Sequence, residues 1–165
     1  MIFSARCDTT KINLVRYNFA DVDDTFTAFT GTCSHPGISI AANGLLFIFF
    51  DDGTTTYLIE STNYGQKWSS PVSIATGTWP KPCVDPLPNA EFVAIYDGAN
   101  YNCWRMLNGE SVFTEVGMIV TAPAGQGGMT VRRSVLGELV FEVSNGSGAV
   151  LRLIGTNMGV NWTLT

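Results

Sequence analysis

The chain has 165 residues, 45% of them hydrophobic and 14% charged, which suits one folded domain with a sizeable core and excludes a disordered chain. Its net charge of −5 and its scattered set of nine Lys and Arg residues argue against a phosphate-binding surface, so no nucleic-acid partner is expected. The longest apolar run, Leu45–Phe50, is strand-length and far short of a bilayer span, so no membrane insertion is expected.

Abundant glycine, threonine and aromatic residues favour strands and turns over helices. The N-terminal stretch MIFSARCDTTK has no basic leader and no apolar core, which predicts no signal peptide and synthesis in the cytoplasm. In chain order, IFSARC, the turn DTTK, KINLVRYN, the loop FADVDD and TFTAFT make a first unit that starts at what would be its second strand. A second unit follows with GISIAANGLLFIFFDDGTTTYLIE (37–60), the box STNYGQKW (61–68) and a fourth strand in WSSPVSI (68–74). The third, CVDPLPNAEFVAIYDGANYNCWRMLNGESVFTEVGMI (83–119), has lost its box. The fourth reads GMTVRRSVLGELVFEVSNGSGAVLRLI (128–154), then GTNMGVNW (155–162) and WTLT (162–165). The Asp52-Gly53, Asp97-Gly98 and Asn145-Gly146 pairs suit tight hairpins, because such turns need residues that tolerate positive φ.

Four units in 165 residues average about 41 residues each, the period of four-stranded blades. The expected fold is therefore an all-β, single-domain β-propeller of about four units, at 1–31, 32–78, 79–124 and 125–165, the first incomplete. An incomplete blade exposes strand edges, which predicts a homo-oligomer or a larger assembly.

The boxes STNYGQKW and GTNMGVNW resemble the Asp-box, or bacterial neuraminidase repeat, of pattern Ser-x-Asp-x-Gly-x-Thr-Trp. The resemblance implies a sialidase-like propeller in which Asn63, Gly65, Trp68, Asn157, Gly159 and Trp162 are structural, on the face opposite the ligand loops. The chain departs from the pattern with Asn63 and Asn157 at the Asp position, Lys67 and Asn161 at the Thr position and Gly155 at the Ser position. Locally, such a box needs a Gly for the turn, an Asn to cap backbone groups and a Trp to pack beneath the hairpin.

Enzymes similar to this family use three arginines, a Tyr/Glu pair, an Asp and an Arg-Ile-Pro motif. That motif is missing here, and Arg16, Arg105 and Arg152 fall at one repeated position, so a catalytic role is not expected. The carboxylates Asp8, Asp51, Asp52 and Asp97 all fall at turns between second and third strands, where Asp is favoured in any case. A glycoside hydrolase built on two of them is the less favoured alternative. His35 is the only histidine. The four widely spaced cysteines, Cys7, Cys33, Cys83 and Cys103, read as reduced thiols packed as small apolar residues, and no metal or cofactor is expected.

The expected ligand rim consists of those turns and the loops 31–37, 76–86 and 122–128. Trp79, braced by prolines, offers a face for a sugar ring, and His35, Asp51, Asp52, Asp97 and Tyr101 stand as further ligand-binding candidates. The resulting expectation is a non-enzymatic surface-recognition module for a glycan or receptor, carried on a viral (phage) particle or another assembly. A purely structural decoration subunit is the main alternative.

Overall fold

The computed structural model describes residues 2–17, 23–41, 44–83, 89–123, 128–145 and 147–165. Gly146 of the fourth-unit turn, residues 19–22 of the first loop, 84–86 of the second rim loop and 124–127 of the third lie outside the described residues. Everything regular in these segments is β-strand, and the strands form four antiparallel sheets, each built from neighbours in sequence.

The first sheet has three strands, β1 (Ile2–Cys7), β2 (Lys11–Tyr17) and β3 (Asp23–Thr30). The second has four: β4 (Ser34–Ile40), β5 (Leu46–Asp51), β6 (Thr55–Ser61) and β7 (Val72–Thr76). The third runs β8 (Thr78–Pro82), β9 (Ala90–Tyr96), β10 (Asn100–Leu107) and β11 (Thr114–Thr121). The fourth is β12 (Met129–Arg133), β13 (Leu139–Ser144), β14 (Val150–Thr156) and β15 (Asn161–Leu164). Meandering four-stranded sheets of this kind are the blades of a β-propeller, and among the described residues the first sheet has three strands against four in each of the others. By compactness the chain divides at Pro80, inside β8, into a first unit Met1–Pro80 and a second unit Lys81–Thr165.

Burial explains the strand order. The second strands β5, β9 and β13 are buried almost throughout and read as near-continuous apolar runs, because both of their faces are covered. The outer strands β7 and β15 are mostly exposed. In the first unit, alternation on β5 sends Leu46, Ile48 and Phe50 into a core with Ile12 and Leu14 of β2 and Ile59 of β6, while Phe47, Phe49 and Asp51 take the other face.

A covalent staple crosses that core. Cys7 at the end of β1 is disulfide-bonded to Cys33, just before β4, with Cα atoms 6.4 Å apart. The expectation of four reduced thiols is therefore corrected for this pair. Stacking of the first two sheets places side by side two cysteines that are 26 residues apart in sequence. Cys83 and Cys103 are buried and outside any disulfide, and burial pushes the Cys103 thiol up to about 12, so it is inert as a nucleophile.

Candidate functional site

The four hairpins between second and third strands share one device. Asp8, Asp52, Asp97 and Asn145 each cap their own turn with a side-chain oxygen. In the second sheet Asp52 Oδ1 accepts from Thr55 N, Thr54 N and Thr54 Oγ1 at 2.8–2.9 Å, and Oδ2 accepts from Tyr57 OH at 3.1 Å. These donors, the Thr55 amide foremost, hold the Asp52 carboxyl down to about 2 against a slight opposing effect of burial. Asp97 is treated alike: the Asn100 and Ala99 amides bond Oδ1, Asn102 Nδ2 bonds Oδ2, and its carboxyl also sits at about 2.

One residue earlier the hairpins diverge. Asp51 is fully buried, on the face of β5 shared with Phe47 and Phe49. A carboxylate there must be satisfied by hydrogen bonds. Gly53 N donates to Oδ1 at 3.0 Å, while His35 Nδ1 at 2.9 Å and Trp79 N at 3.0 Å both donate to Oδ2. Because a carboxylate accepts only, Nδ1 carries a proton, and Nε2 is the ring nitrogen not used by Asp51. The His35 side chain is 41% exposed, so that nitrogen can meet solvent or a ligand.

Both partners are held in unusual backbone conformations. His35 sits at φ 48° on the irregularity where β4 slips register between Ser34 and Gly37, and Trp79 sits at φ 55° at the start of β8. Left-handed conformations cost a non-glycine residue on the order of 1 kcal/mol each, and here they aim both rings at one place. The imidazole and indole centroids lie 4.8 Å apart at a 36° tilt. Trp79 thus belongs to a strand, where the sequence suggests a loop, and Asp51 is the bracket that fixes it.

The other candidates lie elsewhere. Asp52 lines the first-unit face opposite Asp51, with Phe50 and Tyr57. Asp97 caps an exposed turn of the second unit. Tyr101 is wholly buried, packed between Tyr96 (5.4 Å) and Phe141 (5.2 Å), with its hydroxyl unpartnered and its pKa raised by burial. It is a core residue and leaves the ligand-binding set. The repeated arginines each have a different partner: Arg16 lies over Phe26, Arg105 bonds Met158 O, and Arg152 pairs with Glu142.

The two Trp-ending boxes form matching latches. Trp68 Nε1 donates to Gly65 O at 3.0 Å and Trp162 Nε1 to Gly159 O at 2.8 Å. Gly65 (φ 83°) and Gly159 (φ 84°) turn left-handed against packed neighbours, Leu14 in the first unit and Cys103 in the second. Asn63 Oδ1 accepts from Lys67 N and Ser61 Oγ, whereas in the second box Gly155 makes room for the Trp162 ring and Asn157 itself turns left-handed, at φ 49°. Among the described residues, no group of three His, Cys, Asp or Glu is placed to hold a metal ion.

No protein-family model and no curated protein matches this sequence. Solved structures do match in fold. A polysaccharide lyase of family PL25, an ulvan lyase, is 10% identical with a TM-score of 0.63 over 93% of this chain and 48% of its own. A protein from Lactobacillus plantarum is 17% identical with a TM-score of 0.70 over 99% of this chain and 52% of its own. The intramolecular trans-sialidase from Ruminococcus gnavus is 13% identical with a TM-score of 0.59 over 82% of this chain and 34% of its own. The chain thus spans about half the length of the lyase and of the Lactobacillus protein, and the likeness is one of fold.

Proposed function

We propose that this chain is a non-catalytic propeller module that binds carbohydrate on the Trp79–His35 platform of its first unit. The observation that carries the reading is the buried Asp51 carboxylate, which holds the indole and imidazole 4.8 Å apart on a rigid strand end. An indole face suits the C–H face of a sugar ring, and His35 Nε2 can hydrogen-bond a hydroxyl beside it. Asp51 has its oxygens committed to three donors, which suits a positioning residue better than an acid or base. Glycan-acting enzymes among the fold neighbours agree with a saccharide ligand, by analogy of fold alone.

The x-T-N-x-G-x-x-W turns are read as Asp-boxes that latch the blades and take no part in binding. The three-stranded first sheet motivates assembly with further copies or within a larger particle such as a virion, a purely structural role there being the competing reading. Light scattering across a dilution series tests assembly: a persistent monomer overturns the homo-oligomer.

Glycan-array screening followed by calorimetry on the best hit tests binding. Trp79→Ala keeps the backbone N–H to Asp51 but should abolish the signal; full binding in that variant overturns the assignment. A hydrolytic second reading draws on the carboxylate–imidazole pair, and release of reducing ends from the bound glycan would favour it.

A further inference from the structure

A second recess lies on the opposite face of the same hairpin, within the first unit. It has a volume of about 290 Å³ and is lined by Phe29, Thr32, Phe50, Asp52, Tyr57 and Pro71. Three of these are aromatic and in mutual contact: Phe29 and Phe50 have centroids 4.7 Å apart, and Phe50 and Tyr57 stack at 5.6 Å. Asp52 is the only charged residue in the lining among the described residues.

The chemistry of that lining is one-sided. Asp52 Oδ1 is filled by its three turn donors, while Oδ2 accepts only the Tyr57 hydroxyl among its hydrogen bonds and keeps acceptor capacity. Tyr57 spends its proton on Asp52, so the polar side-chain groups of the lining among the described residues are one carboxylate, one committed hydroxyl and the Thr32 hydroxyl. A carboxylate or phosphate would be repelled there. A neutral hydroxyl would bring lone pairs with little to bond them. An ammonium group brings donors alone, is attracted by the carboxylate, and gains further from the negative faces of the rings. The turn donors also keep Asp52 charged at any physiological pH.

We infer that this recess is a binding site for an organic ammonium group, with Asp52 as its counter-ion and Phe29 and Tyr57 as its walls. The group can be carried by an amino sugar or by a lysine side chain, and the site is separate from the Trp79 platform, so either can stand without the other.

The test titrates the full chain with D-glucosamine, N-acetyl-D-glucosamine and Nα-acetyl-L-lysine amide, following the aromatic NMR signals. Glucosamine or the lysine derivative should bind, the tighter of the two identifying the carrier, and N-acetylation should weaken the sugar about tenfold, the loss of one charged hydrogen bond. Asp52→Asn should weaken the ammonium probe by a similar factor of about ten while the turn survives, since Asn145 caps the equivalent turn of the fourth sheet. Trp79→Ala should leave binding of the ammonium probe unchanged. The inference is overturned by equal binding of the acetylated and free sugars, by an Asp52→Asn variant that folds and binds like the parent, by dependence on Trp79, or by no binding of either amine at tens of millimolar.

Discussion

The hairpin of the second sheet and that of the fourth make the same turn and differ in what stands just before it. At β13–β14, Ser144 precedes the Asn145 cap and donates its hydroxyl to a single acceptor, Gly128 O at 3.3 Å. At β5–β6, Asp51 precedes the Asp52 cap and gathers three donors, two of them 16 and 28 residues away in sequence. The third sheet has Tyr96 at this place, donating to Gly98 O, and the first has Cys7, bonded to Cys33. One turn chemistry thus tolerates four different shoulders, because the cap is satisfied by the turn's own amides. The buried Asp51 is the shoulder that gathers two aromatic residues, His35 and Trp79, into one platform.

Substitution can break this comparison at several levels. The largest effects should come from the latches, one in each unit. Gly65→Ala would force a Cβ into Leu14, and Gly159→Ala would bring one within 2.8 Å of Cys103 Sγ, both at positive φ. Each should lower stability by about 3 kcal/mol or abolish folding, read by chemical denaturation. Cutting the staple comes next. Cys7→Ser with Cys33→Ser, or reduction, should cost about 3 kcal/mol from the reopened 26-residue loop, with hydrogen exchange rising in β1 and β4 ahead of β12–β15.

The shoulders come third. Asp51→Ala leaves the Trp79 and Gly53 amides without their acceptor and should cost about 2 kcal/mol, together with the glycan signal, against about 1 kcal/mol for Ser144→Ala. Equal costs for the two would erase the contrast drawn here. The smallest effect is that of the caps. Asp52→Ala and Asp97→Ala should each cost about 1 kcal/mol, since both sites are open to solvent. Their folded pKa of about 2 lies below the ordinary 3.8, so their stabilisation is complete above about pH 4 and fades as pH falls through 2. Asp52→Asn with Asp97→Asn should therefore flatten the melting temperature between pH 4 and pH 2.

Much of the fold is legible in the sequence because its signals are local. The apolar runs of β5, β9 and β13, the Asp/Asn turns and the Gly–Trp boxes each act over a few residues. The candidate site is less legible because it joins three segments. His35 and Trp79 read as loop residues beside proline and glycine, whereas both sit at strand starts, kept in left-handed conformations by a carboxylate that no local pattern connects to them. One hint was present: Asp51 continues the Phe47–Phe49 face of an otherwise apolar strand, a place where a charge must have partners. Tyr101 could have been assigned by parity, since Tyr101 and Cys103 alternate inward along β10 between half-buried Asn100, Asn102 and Trp104. The Cys7–Cys33 bond and the Asp52 recess both depend on how two sheets stack, which spacing along the chain does not encode.

The staple also has a mechanical meaning. Pulled from its ends, the chain cannot pay out residues 8–32, so roughly 90 Å of contour length stays hidden until the disulfide is reduced. The hidden segment contains β2 and Leu14, against which the Gly65 latch is packed. A protein loaded by tension would therefore extend elsewhere first, and β2 and β3 would remain the part of the chain that force cannot draw out.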